Sequence, residues 1–322
     1  MILVTGAGGF IGSHVVDELL ANGERVRALV HYNALDSNGW LDDIAQRDNP
    51  NLEIAHGDIT DFDNLERHSK DVTRTVNLAA LIPIPYSYVA PRSYVNVNIN
   101  GLLNLLEIQR RTGGVLIQIS TSEVFGTAQT VPISELHPRN AQSPYAATKI
   151  AADELLKSYV ASFGVDARIA RPFNTFGPRQ STRAVIPTII AQALKSDCIE
   201  LGDTSTTRDF NYVLDTVQGI LAVLEFGEPG EDYNIGSGIE RSISEIIQGI
   251  ERILDKKIRV AQNSERQRPE KSEVRQLVCD PSKLKAISNW DVKYTGPEKF
   301  ESTLAVLTEW YRNNSPMRGF RI

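Results

Sequence analysis

The sequence predicts an α/β protein built on a doubly wound parallel sheet, and three features predict it. Short β-branched apolar runs alternate with amphipathic stretches through the first half of the chain. A glycine-rich turn, Gly6-Ala7-Gly8-Gly9-Phe10-Ile11-Gly12, joins the first apolar run to the first amphipathic stretch. After Pro172 the alternation loosens and proline and glycine become frequent, which predicts a smaller mixed α/β C-terminal lobe beside the sheet edge.

The elements follow in order. Ile2–Thr5 reads as a buried strand, and Val15, Val16, Leu19 and Leu20 recur at helical spacing before Gly23 closes that helix. Residues 25–30 form the next strand, with further strands at Leu52–His56, 75–78 and 115–120. Between the last two, residues 96–111 carry Val97, Leu102, Leu105, Leu106 and Ile108 on one helical face. A long helix is predicted over Pro144–Phe163 and a strand over 165–170. Later helices are expected at 184–195, 215–225, Ile243–Leu254 and 297–312. The first domain is expected to span 1–171, with segments near 210–235 returning to it. Residues 172–209 and 236–322 would then form the second lobe.

Composition sets outer limits. The chain has 322 residues, 41% hydrophobic and 23% charged, which excludes disorder as the main state. With 34 basic and 40 acidic residues the net charge is −6, against the excess of Lys and Arg that a nucleic-acid surface needs. No apolar run reaches the roughly 18 residues of a membrane span. No basic segment precedes the first apolar run, so a signal peptide is not expected. Cys198 and Cys279 are the only cysteines, and the five histidines show no paired spacing. Neither a disulfide framework nor a metal site is predicted, and a reduced cytoplasmic setting is the expectation.

The turn at Gly6, Gly9 and Gly12 has a physical reading. The first glycine permits the tight turn and the second lets a pyrophosphate approach the backbone. The third lets helix and strand pack closely, with the helix N-terminus facing the anion. Its strand–turn–helix context predicts a Rossmann-type dinucleotide site, flanked by Phe10 and Ile11. At the end of the second strand stands Val30, followed by His31 and Tyr32. Both the ribose-binding acid and an arginine for a 2′-phosphate are missing there, so NAD and NADP remain open on this reading. His31 either touches a phosphate or is a solvated surface residue. Asp58 and Ile59 are candidates for the adenine edge, although Asp58 also suits a turn. Leu78, Ala79 and Ala80 are candidates to line the dinucleotide.

Tyr145-Ala146-Ala147-Thr148-Lys149 places Tyr145 and Lys149 one helical turn apart on one face. An ammonium beside a phenol favours phenolate, so Lys149 is expected to lower the Tyr145 pKa towards the working range. Such a phenolate takes a hydroxyl proton while hydride leaves the same carbon. Ser120-Thr121-Ser122-Glu123 closes the preceding strand at its carboxyl end, where open α/β sheets place ligands. Thr121 is placed to bond the reacting hydroxyl, Ser122 to relay a proton, and Glu123 to act as a base.

Together Gly6–Gly12, the Thr121 strand end and Tyr145/Lys149 resemble the extended short-chain dehydrogenase/reductase superfamily over nearly the whole chain. The resemblance implies a cofactor lobe carrying NAD(P), with NAD marginally favoured, tightly bound and regenerated in each turnover. It also implies a second lobe carrying a nucleotide sugar. Arg171-Pro172-Phe173-Asn174-Thr175-Phe176-Gly177-Pro178 is similar to the family segment whose Asn, here Asn174, meets the substrate diphosphate. Arg208-Asp209-Phe210 is similar to a motif whose arginine pairs with that diphosphate, the structural alternative being a salt bridge to Asp209 or another acid. Arg268-Pro269 resembles a second diphosphate arginine, with two extra residues between it and Asp280. Arginine suits these places because its fork binds phosphate oxygens bidentately.

Thr121-Ser122-Glu123 matches the form carried by the GDP-mannose branch of the 4,6-dehydratases, whereas 4-epimerases usually lack the acid. Decarboxylases acting on UDP-glucuronate also carry Ser-Glu there. Longer stretches are similar to legionaminic-acid-type NAD-dependent 4,6-dehydratases, among them Ile84-Pro85-Tyr86-Ser87-Tyr88 and the run containing Arg183, counted with the substrate residues. That resemblance implies a nucleotide-linked N-acetylglucosamine as substrate, a 4-keto-6-deoxy product and a setting in glycan biosynthesis. A 4-epimerase, a decarboxylase and a non-catalytic dinucleotide-binding protein are the alternatives. Neither UDP nor GDP is selected by any short motif. The superfamily also implies a homodimer through the helices at 96–111 and Pro144–Phe163.

Overall fold

The structure, a computed structural model, describes residues 1–263 and 272–314. Its first strands are β1 (Ile2–Thr5), β2 (Val26–Val30), β3 (Leu52–His56), β4 (Arg74–Asn77), β5 (Val115–Ile119) and β6 (Ala167–Pro172). Then come β7 (Asn174–Phe176), β8 (Cys198–Leu201), β9 (Thr207–Tyr212) and β10 (Asp232–Ile235). The last are β11 (Glu240–Ser242), β12 (Arg259–Gln262) and β13 (Gln276–Leu277).

Seven strands form one parallel sheet in the order β10-β6-β5-β4-β1-β2-β3. Alternation along each strand feeds two cores. Ile2 and Val4 of β1, with Ile117 and Ile119 of β5, face the side covered by helices Phe10–Ala21 and Val213–Phe226. Leu3 and Leu116 face the other side, against helices Gly101–Thr112 and Pro144–Phe163. Helices on both faces make the sheet doubly wound, as predicted. The chain order reverses between β1 and β4, so the carboxyl ends of these strands open a crevice there. Side chains tie those ends together: Asn77 Nδ2 donates to Gln118 Oε1 at 2.6 Å, and Thr5 Oγ1 accepts from the Ala79 amide at 3.2 Å.

Strand β10 joins the sheet edge beside β6, in register from Asp232 opposite Ile169 to Ile235 opposite Pro172. Phe210, by contrast, belongs to a second small sheet, β11-β9-β13, with β7 paired to β9. A further pair, β12-β8, and helices Val185–Ala193, Ile243–Leu254 and Phe300–Asn313 complete that lobe. Ser242 and Glu245 form a reciprocal cap that starts the second of these helices. Ile186, Ile190, Ile246 and Leu304 continue the core that Val4 and Val15 begin, so the lobes share one apolar interior.

The expected helix at 96–111 is corrected in detail. The regular helix is Gly101–Thr112, and Val95–Asn100 before it is wound as a wider π-turn. The buried Asn98 of that turn bonds both backbone groups of Leu81 and the Thr148 hydroxyl, which anchors the wide turn to its neighbours. No helix among the described residues is long and apolar enough to cross a membrane.

Candidate active site

The glycine turn is fixed by how closely backbone meets backbone. Gly6 has φ +64°, and a Cβ there would lie 2.8 Å from the Ala79 nitrogen. A Cβ on Gly12 would lie 2.2 Å from the Gly6 carbonyl oxygen. The Gly9 amide donates to that same oxygen at 3.0 Å. Helix Phe10–Ala21 begins with no side chain capping it, so its first-turn amides face the crevice. The loop after β2 closes on the turn, because the Trp40 amide donates to the Gly8 carbonyl at 3.0 Å. Gly12→Ala is therefore expected to push β1 and this helix apart, weakening dinucleotide binding at least about tenfold and lowering Tm. Isothermal titration and thermal melting read both effects.

The crevice is a cleft of about 620 Å³. Of the residues the sequence singled out for the cofactor, Gly6, Gly9, Phe10, Ile11, Gly12, His31, Leu78, Ala79, Ala80, Tyr145 and Lys149 all line it. Thr121 does as well. Ile59 is instead a core residue, 5% exposed, packed on Gly101. Asp58 does not line the cleft; its exposed side chain accepts from Thr60 and faces His31 Nε2 at 3.2 Å. Asn33 and Ser37, which sequence reasoning missed, line the part below the second strand; Asn33 Nδ2 donates to the Ser37 carbonyl at 2.8 Å. These groups are neutral, and no arginine lines the cleft among the described residues. A pyrophosphate fits the glycine backbone and open helix end, whereas a 2′-phosphate meets no fixed cation beside Asn33.

The reacting cluster stands at the carboxyl end of β5. Ser143 caps helix Pro144–Phe163 by accepting from the Ala146 amide at 3.1 Å, and Pro144 occupies its first turn. That start sets Tyr145 and Lys149 facing the strand end. Thr121 accepts from the Glu123 amide at 3.3 Å and so starts the short turn Ser122–Phe125. The Tyr145 phenol bonds the Thr121 side chain, and Glu123 is close enough for its charge to act on that phenol. Ser122 is buried directly between them in sequence, 3% exposed.

One expectation is overturned here. The Tyr145 phenol is pushed far above its ordinary value, not lowered. Burial is the main cause, and the charges of Glu123, Tyr94 and Asp153 add to it; the Thr121 hydrogen bond opposes. Lys149 is itself buried, and its Nζ donates to the Ile119 carbonyl at 2.9 Å. Burial brings the Lys149 ammonium down to about 8. A phenolate at Tyr145 thus needs positive charge in the cleft beyond what this lysine supplies.

The substrate residues are less gathered. Asn174 starts β7, and its Oδ1 is buried with no hydrogen-bond partner, as is Oε1 of the cleft residue Gln180. An unpartnered buried acceptor is a place for a ligand donor. Arg208 does not reach the cleft lining. Its guanidinium donates to the carbonyls of Val274 at 2.5 Å and Thr207 at 2.8 Å and faces Glu273 at 3.4 Å. Nor does it pair with Asp209, which turns inward to accept from Ser237 and Gly238. Arg183 is exposed ahead of helix Val185–Ala193, and Arg268 lies outside the described residues. Among the described residues no group of three His, Cys, Asp or Glu is placed to hold a metal.

The GDP-mannose 4,6-dehydratase family matches residues 3–303 of the chain. A dTDP-glucose 4,6-dehydratase of Xanthomonas campestris pv. campestris (strain B100) is 32% identical over 339 aligned residues, covering 97% of this chain and 93% of the relative. The crystal structure of DesIV, a dTDP-glucose 4,6-dehydratase from Streptomyces venezuelae with NAD and TYD bound, matches with a TM-score of 0.86 at 30% identity. The match covers 97% of each chain. A UDP-N-acetylglucosamine 4-epimerase from Methanobrevibacter ruminantium M1, in complex with UDP-N-acetylmuramic acid, matches with a TM-score of 0.85 at 31% identity. It covers 97% of this chain and 98% of the neighbour.

Proposed function

The chain belongs to the GDP-mannose 4,6-dehydratase family of the extended short-chain dehydrogenase/reductase superfamily, and on that premise we propose that it is an NAD-dependent nucleotide-sugar 4,6-dehydratase. Its substrate is a nucleotide-linked N-acetylglucosamine. The observation that carries this reading is the placement of Glu123 on the turn that follows β5, at the strand end where Lys149 bonds the Ile119 carbonyl and Thr121 and Tyr145 line the cleft. A transient ketone needs no such base if the enzyme only inverts C4. The reading of a 4-epimerase is kept because a 4-epimerase matches the fold about as well as a dehydratase does.

Residues Gly6, Gly9, Gly12, Leu78 to Ala80 and Lys149 would hold NAD, which when bound accepts hydride from C4 of the sugar and later returns it to C6. The chain's own groups do the rest. Thr121 and Tyr145 hold the C4 hydroxyl, and Tyr145 takes its proton as the ketone forms. The ketone acidifies the C5 proton, which Glu123 removes. The C6 hydroxyl then leaves as water, with Ser122 relaying to it the proton that Tyr145 took from the C4 hydroxyl, so that Tyr145 is regenerated. A proton returns to C5 from Glu123, giving the 4-keto-6-deoxy sugar and no net redox change. Asn174 and the arginines Arg183, Arg208 and Arg268 take the diphosphate, and closure on substrate would have to turn Arg208 from its present carbonyl partners. Segment 1–171, with helix Val213–Phe226 and strand β10 returning, serves the dinucleotide, and the remainder serves the nucleotide sugar.

Mass spectrometry of the reaction with UDP- and GDP-linked N-acetylglucosamine tests the reading. A product lighter by one water is expected, and the better substrate names the nucleotide; an isobaric product makes the enzyme an epimerase. The neutral wall at Asn33 and Ser37 further predicts that NAD binds at least about tenfold tighter than NADP, since an unpaired phosphate charge forfeits at least that much. Competitive titration of the two against intrinsic fluorescence checks it. Helices Gly101–Thr112 and Pro144–Phe163 lie side by side, joined by Tyr159 and Glu107, and are proposed as the homodimer face.

A further inference from the structure

A buried ionic pair beside Tyr145 and Lys149 is unused by the chemistry above. Asp153 follows Lys149 by one helical turn, as Lys149 follows Tyr145, so the three share one face of helix Pro144–Phe163. Asp153 and Arg171 are both entirely buried. Asp153 Oδ2 accepts from Ser120 Oγ at 2.8 Å and from Arg171 Nη2 at 2.8 Å, while its Oδ1 has no hydrogen-bond partner. The other branch of Arg171 donates to Asp232 at 2.6 Å. Asp232 is held in turn by Lys157 at 3.1 Å and Arg139 at 3.2 Å, nearer the surface.

Burying such a pair costs desolvation that two apolar side chains would not incur. Stability alone therefore gives no reason for it. Its position does. Asp153 is bonded to Ser120 and Lys149 to the carbonyl of Ile119, so both reach adjacent residues at the strand end that carries Thr121. We propose that Asp153 is a positioning residue of the active site, whose fixed carboxylate keeps Lys149 in its ammonium form beside Tyr145. Arg171 and Asp232 lock that carboxylate in place. The proposal rests on the Tyr145/Lys149 reading above and deepens it.

The surroundings of Lys149 fit this role. Burial alone drives its ammonium towards the neutral amine, and Asp153 is the charge that opposes the shift. Tyr145 lies one turn away on its own helix, and the charges that act on its phenol come from Glu123 on the turn after β5 and Tyr94 on the segment before the π-turn. Arg171 from β6 and Asp232 from β10 lie beyond Asp153. Among these, the pair Asp153–Arg171 is the one with no exposure on either side, so its field is not screened by solvent.

The test reads Lys149 directly on the full chain. Lys149 lines the cleft, so trace acetylation by acetic anhydride, quantified by mass spectrometry across a pH series, gives the midpoint of its protonation. In Asp153→Asn that midpoint is expected to fall by about one pH unit. The alkaline limb of turnover should move down with it. Because Asp153→Asn leaves Arg171 short of a partner and can fail to fold, Asp153→Asn combined with Arg171→Gln is the second variant; a smaller downward shift is expected there, since losing the more distant Arg171 cation offsets part of the effect. A midpoint that stays in place in whichever variant folds overturns the proposal, even if melting temperature and activity drop. The labelling needs no sugar, so an error in the assigned reaction leaves this readout intact.

Discussion

Tyr145→Phe is expected to lower turnover by about 10²–10⁴-fold, the usual worth of a positioned acid–base group, with the fold and the cofactor site left standing. The substitution removes one oxygen. The ring keeps its edge-on contact with Tyr94, at 6.3 Å between centroids, and its place among Ile84, Tyr94 and Leu81. What is lost is the hydrogen bond to Thr121 and the group that takes the C4 proton. Without that acceptor the C4 hydroxyl has no positioned base for its proton, so hydride transfer and every later step slow together. Single-turnover measurement of reduced nicotinamide separates this from a binding defect. Normal reduction with no product would move the proton acceptor to another residue. The pH dependence has a defined sign: Lys149, held at about 8 by burial, loses its ammonium as pH rises through that value, and activity should fall there.

Much of this site is written locally in the chain. The glycines at 6, 9 and 12 are legible because a three-residue spacing and its strand–turn–helix setting are properties of one short segment. Tyr145 and Lys149 are legible because four residues make one helical turn. The charge state of Tyr145 is not, since it depends on burial under residues far off in sequence, among them Tyr94 and Leu81. For the same reason Asn98 escaped notice: its partners Leu81 and Thr148 are brought to it by folding alone. Strands of two to four residues, such as β7, β11 and β13, are too short to show a period, so the second lobe could be foreseen as mixed without its strand order. Arg208 illustrates a further limit. A motif names the residue, but its guanidinium here is occupied by carbonyls of residues 207 and 274, the second of which only the pairing of β13 with β9 brings near.

Glu123→Gln is the variant that separates the two readings of the chemistry. The amide is almost the same size as the carboxylate, and the Glu123 backbone amide, which bonds Thr121 at the start of the turn Ser122–Phe125, is unchanged by the substitution. In a dehydratase the variant should still oxidise C4, because Thr121, Tyr145 and Lys149 are untouched. It should then stall, since an amide cannot remove the C5 proton. The expected result is reduced cofactor accumulating on the enzyme with substrate present, no product lighter by one water, and a loss of about 10²–10⁴-fold in turnover. Deuterium from solvent should enter C5 in the wild type and not in the variant. Removing the carboxylate also removes a negative charge that pushes the Tyr145 phenol up, so the first oxidation should proceed at lower pH than in the wild type. That combination, an easier first step and an absent second one, is peculiar to a base acting after the ketone has formed. An epimerase would keep its turnover, and Glu123 would then have no part in the reaction.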